Sequence, residues 1–107
     1  MADAKEGRRT VKIPRSVTIG GQVVKIRVCD DCEDWGQYDY DAQTITLSRR
    51  AVDGTEFIPT LRHEMTHAAL WIGGVAFAEG MEEEAALRCL DAVFWPAWER
   101  IRKRLQS

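Results

Sequence analysis

The chain has 107 residues, 30% of them charged, and a net charge of −2 at pH 7, which describes one domain with room for a single core. Balanced charge offers no grip on nucleic acid or an anionic membrane surface, and no apolar run reaches the roughly 18 residues of a transmembrane helix. Residues 1–9 lack the apolar stretch of a secretory leader, so the expected compartment is the cytoplasm.

Residues 1–9 are polar, without periodicity, and are expected to form a flexible tail ahead of a single domain over 10–107. Val11, Ile13, Val17 and Ile19 open a β-rich half, interrupted at Pro14. Gly20-Gly21 has the composition of a two-residue hairpin turn. In residues 22–28, Val24, Ile26 and Val28 alternate with Lys25 and Arg27, as in a half-buried strand. Residues 29–34 are acidic and irregular, a loop. Residues 35–40 read as a short strand, 41–43 as a turn, and the β-branched alternation of 44–48 as another strand. Four such segments in sequence predict a small antiparallel, meander-like sheet.

From Asp53 the pattern becomes helical. Asp53 or Thr55 can cap a helix over about 57–72, Pro59 fits only in or beside its first turn, and Gly73-Gly74 stops it. Leu61, Met65, Ala68 and Ile72 share the face expected to pack on the sheet. His63 and His67 lie nearly opposite, flanked by Leu70 and Trp71. That helix is apolar on two sides, so something must cover the histidines. A second helix, about 81–105, supplies the cover with a stripe of Ala86, Leu87, Leu90, Val93, Phe94, Ala97, Ile101 and Leu105, kinked or split at Pro96. The order of sheet, helix, helix makes the class α+β.

The chain holds two histidines, and both fall in Arg62-His63-Glu64-Met65-Thr66-His67. One helical turn apart, their imidazoles can converge on one metal ion, with Glu64 turned about 100° away beside a water that the ion activates. This is the H-E-x-x-H pattern of zinc hydrolases. Without a metal, the same side chains would be ordinary hydrogen-bonded decoration of one helix. Two nitrogens, one carboxylate oxygen and an open position suit zinc. Glu83 is preferred as the third ligand because it centres on the apolar stripe of the second helix, where an unpartnered carboxylate is costly. Glu84 is close behind, and Glu79 is cut off by Gly80. Glu82, Glu83 and Glu84 are also explained as acids at a helix N-terminus.

Cys29-Asp30-Asp31-Cys32 has C-x-x-C spacing but no second pair for a structural zinc, and three cysteines in a chain without a leader argue for reduced thiols. Trp71, Trp95 and Trp98 are expected in the core, whereas Trp35, in a polar stretch, can line a cleft. The basic residues 100–104 need bind nothing, because cations are favoured at a helix C-terminus.

The chain resembles short phage- or prophage-type zincins, similar to the ImmA/IrrE-like metallopeptidases and the minimal gluzincins. The resemblance spans about residues 13–93. It rests on Gly36-Gln37-Tyr38-Asp39, Thr44-Ile45-Thr46-Leu47, the run from Thr60 to His67, and Glu83-Glu84-Ala85-Ala86. It implies zinc on His63, His67 and a downstream glutamate, with Glu64 as general base. It also implies a substrate strand adding to the sheet edge near Thr44 to Leu47, and a protein substrate such as a repressor or host protein. The chain departs from that group in lacking a Glu-x-Glu-Ala-Asn run and a helix-turn-helix segment. The expected activity is a zinc metallopeptidase in which Tyr38 or Tyr40 can serve as oxyanion donor. The alternative is a zinc-stabilised, non-catalytic protein-interaction module.

Overall fold

The structure is a computed structural model and describes residues 12–78, 80 and 82–106. The tail expected at 1–9, and Glu79, lie outside these residues. Strands β1 (Ser16–Ile19) and β2 (Gln22–Cys29) form a hairpin in which Ile19 pairs with Gln22. Gly20 and Gly21 turn it with φ of +56° and +80°, the left-handed pair that a two-residue turn requires and that side chains resist.

The sheet is mixed, not antiparallel throughout. β3 (Gly36–Asp39) and β4 (Thr44–Ser48) make a second hairpin, but β4 inserts between β3 and β2 and runs parallel to β2, giving the order β1-β2-β4-β3. Residues 30–35 carry the chain past the place that β4 later fills. Alternation records which face a side chain takes, not which strand lies next door, so the meander expectation failed there. Thr44 to Leu47 are consequently interior, and no substrate strand can add to them. Among the described residues, the free edge on that side is β3.

One sheet face supplies Val24, Ile26, Ile45 and Leu47, which cluster with Val52 and Phe57 as the core. Each such side chain stabilises by about 1.5–3 kcal/mol when fully buried. After β4, the buried Ser48 hydroxyl accepts from the Ala51 N–H (3.2 Å) and caps the short helix α1 (Arg49–Val52).

Helix α2 (Phe57–Ile72) starts from Glu56, whose side chain makes no capping bond, and neither Asp53 nor Thr55 caps it. Asp53 instead ends α1, because α1 occupies the residues just before it. Pro59 is the third residue of α2, where its missing N–H has no intrahelical partner to lose. At the other end, Gly73 donates to Ala69 O (2.8 Å) and Gly74 takes φ +83°. The buried stripe is Phe57, Thr60, Glu64 and Ala68, while Leu61, Met65 and Ile72 flank the core half-buried. The face thus centres one position away from the apolar residues, and Gly36 explains why. A Cβ there would stand 2.7 Å from Thr60 Cγ2 and 3.1 Å from Glu64 Cγ. Only a glycine lets β3 lie this close to α2.

The second helical segment divides into α3 (Glu83–Cys89), a π-helical turn (Leu90–Phe94) and α4 (Trp95–Gln106). The widened turn precedes Pro96, whose ring and absent donor do not fit a regular helix interior. One extra residue per turn rotates all that follows by about 100°. The expected stripe is therefore broken. Leu87 is buried, but Val93, Phe94, Trp98, Ile101 and Leu105 are exposed. Trp95 turns towards α2 instead, with the Arg62 guanidinium 5.0 Å from its ring centroid, and Arg62 Nη1 also lies 3.8 Å from Glu99. Trp71 and Trp98 are likewise not core residues.

Cys29 and Cys32 are joined as a disulfide, contrary to the reduced pair expected, because the turn between them brings their Cα atoms to 5.8 Å, within disulfide span. Among the described residues no helix is long and apolar enough to cross a membrane.

Candidate metal centre and its cleft

His63 and His67 project from α2 toward the start of α3, their ring centroids 5.0 Å apart. Each outer ring nitrogen meets a carboxylate. His63 Nδ1 lies 2.7 Å from Asp91 Oδ2 in the π turn, and His67 Nδ1 lies 2.5 Å from Glu83 Oε2 in the first turn of α3. An imidazole held at Nδ1 has Nε2 left to offer, so both rings are oriented as metal-ligating histidines usually are. His67 Nε2 in fact faces Glu84 Oε2 at 3.3 Å.

His63, His67 and Glu84 each offer one ligand atom, and these atoms lie within 4.8 Å of one another. Glu83, preferred as the third ligand, and Glu84, ranked close behind it, thus take different places. Glu84 stands with the histidines, and Glu83 braces His67 from behind. Helical geometry favoured Glu83 because it points more directly at α2, and the structure uses that proximity for the ring's outer nitrogen. Asp91 was not foreseen. The signal available was an acid one heptad after Glu84, but the π turn, invisible in the sequence, is what aims it at His63.

Glu64 is 6% exposed, between α2 and β3, and burial pushes its carboxyl above the ordinary range. His67 and His63 pull it back down, while Glu84 and Asp34 add to the rise. A carboxyl raised in this way binds a proton more tightly than a solvated one.

The centre opens into two hollows that share Gly36, His63 and Glu64, and so form one groove beside β3. The first, about 450 Å³, reaches Tyr38, Tyr40, Trp71 and Glu84. The second, about 540 Å³, reaches Asp34, Trp35, Glu56 and Asp91. Trp35 therefore lines the cleft, as its polar context suggested, with Arg50 stacked 4.7 Å from its ring centroid. Tyr38 lines the first hollow, but its hydroxyl oxygen is buried without a hydrogen-bond partner, and burial followed by the Asp39 charge raises its pKa. It stays a protonated donor at neutral pH. Tyr40 is half exposed at the groove's end.

Two imidazoles and one carboxylate suit zinc with a position left for water or substrate. The bracing acids are a further fit, since ligating histidines commonly donate their second N–H to a carboxylate. Comparison with protein-family models, with curated proteins and with solved structures gives no match.

Proposed function

We propose that the chain is a zinc-dependent endopeptidase acting on a protein or peptide. The observation that carries this reading is the pairing of inner and outer nitrogens. Asp91 and Glu83 occupy the outer faces of both imidazoles, leaving His63, His67 and Glu84 to hold the ion. Bound there, zinc would supply Lewis acidity that lowers the pKa of water to about 7 and polarises a carbonyl.

Glu64 accepts the proton of the attacking water as its oxygen bonds to the scissile carbonyl carbon. It then returns that proton to the amide nitrogen as the C–N bond breaks. Burial favours the accepting half, because it raises the affinity of the Glu64 carboxylate for a proton. A substrate strand can add to β3, the edge strand among the described residues, which runs past Glu64 at Gly36. A repressor or other host protein remains within this proposal, as a protein presenting an extended segment.

Metal analysis of purified protein tests the reading. About one zinc per chain is expected, lost in Glu84→Ala and weakened some 10–100-fold in affinity in Glu83→Ala and Asp91→Ala. Glu64→Gln should keep the metal and lose turnover. A zinc-loaded Glu64→Gln protein with full biological effect would instead favour the non-catalytic interaction module. A wild-type chain that takes up no zinc would end both readings.

A further inference from the structure

One end of the groove is built from aromatic rings, and neither hydrolysis nor folding accounts for them. Trp71 follows His67 by one helical turn, on the same face of α2. Its ring centroid lies 4.2 Å from Tyr40, just beyond β3, and 4.4 Å from Phe77, in the 3₁₀ turn after Gly74. Three separate segments thus converge on one stack. Packing in a core would hide it, yet Tyr40 remains 50% exposed and Phe77 65% exposed. Tyr40 and Trp71 line the same hollow as His67 and Glu84, so the stack is continuous with the metal centre.

We infer that Tyr40, Trp71 and Phe77 form a subsite for an aromatic side chain of the substrate, next to the bond that is cut. The inference rests on the peptidase reading. A ring laid against this shelf gains both apolar burial and offset or edge contacts with its neighbours. A methyl group cannot cover the shelf. An acidic side chain would meet Glu83 and Glu84, which line the same hollow. A peptide extended along β3 is led toward the shelf, because β3 ends at Asp39 and Tyr40 follows it. The opposite hollow, with Asp34 and Glu56 on its rim, holds among the described residues the single indole ring of Trp35, which Arg50 already covers. The shelf therefore selects on one side of the scissile bond.

The test uses zinc-loaded full-length protein and calorimetric titration with three peptide hydroxamates that differ only in a Phe, Ala or Asp side chain. Acetohydroxamate, which has no side chain, reports the metal centre alone. Binding in the order Phe, Ala, Asp is expected, with at least tenfold between the first two. Phe77→Ser and Tyr40→Ser, both at exposed positions, should shrink that preference several-fold, and Phe77→Ser, at a residue that does not line the metal-centre hollow, should do so while acetohydroxamate affinity holds. Equal affinity for the Phe and Ala compounds, with acetohydroxamate bound, would overturn the subsite and leave the metal centre standing. A preference that survives both substitutions would overturn it as well. Failure to bind zinc or acetohydroxamate would bring down the peptidase reading, and the subsite with it.

Discussion

Helix α2 and the segment from Glu83 onward carry apolar stripes of similar sequence quality, yet they end differently. In α2 the stripe is seated on the sheet around Phe57 and Ala68. In the second segment Leu87, before the π turn, is fully buried, whereas Phe94 in the turn and Trp98, Ile101 and Leu105 after it face solvent, and Trp95 reaches α2 only at its rim, through Arg62. The lesson concerns register. A periodic stripe names a buried face only while the helix keeps its pitch, and one widened turn rotates the remainder away. The same turn places Asp91 against His63, so the break that exposes α4 also braces the site.

Leu87→Ala tests the buried half. Leu87 is fully buried at the junction of α3 with α2, so its truncation should cost about 2–5 kcal/mol and lower the thermal midpoint by roughly 10 °C or more. It should also weaken zinc affinity, because α3 carries Glu83 and Glu84. A midpoint within 2–3 °C of wild type, roughly the scale of a surface substitution, would mean that α3 is not seated as described.

Gly36→Ala probes the contact that aligns α2 with β3. The added methyl would press on Thr60 and on the Glu64 side chain, whose Oε2 would stand 3.3 Å away. Overpacking of this kind costs about 1–3 kcal/mol. Turnover should fall further than stability if the displaced Glu64 is the proton acceptor proposed above, while zinc content stays near one per chain. Zinc loss in parallel with turnover would show instead that the whole helix had shifted.

These two positions mark what could be read from the chain and what could not. His63, Glu64 and His67 are local, fixed by helical spacing, and the strands, the Gly20-Gly21 turn and the stop at Gly73 follow from equally local chemistry. The parallel pairing of β2 with β4, the disulfide, the division of labour between Glu83 and Glu84, and the role of Asp91 all depend on contacts between distant segments. Gly36 lies between the two. Its identity was plain, but the need for it appears only when Thr60 and Glu64 are packed against it.

Glu64→Gln has a smaller effect, of opposite sign, on stability. Burial raises the Glu64 carboxyl above 4.5, so the folded chain binds that proton more tightly than the unfolded chain does. Folded stability therefore falls as pH rises from the ordinary glutamate value through the raised one, by about 1.4 kcal/mol per unit of difference. Glutamine is neutral and escapes this loss. Metal-free Glu64→Gln should melt a few degrees above metal-free wild type near neutral pH, with the gap closing as pH falls toward 4.5. A gap that does not change with pH would assign the gain to packing rather than to the proton.

The smallest expected change lies on the exposed half of the comparison. Leu105 is 74% exposed near the end of α4, on the stripe that the π turn directs to solvent. With so little surface removed from water, Leu105→Ser should shift stability by no more than about 0.5 kcal/mol, and should leave zinc affinity untouched. The value of the experiment lies in its contrast with Leu87→Ala, since both remove a leucine from one apolar repeat. Equal losses at the two positions would mean that the stripe stays in phase through residues 90–94 and that α4 packs along α2. Asp91 would then be aimed elsewhere, and the brace on His63 would fail with it.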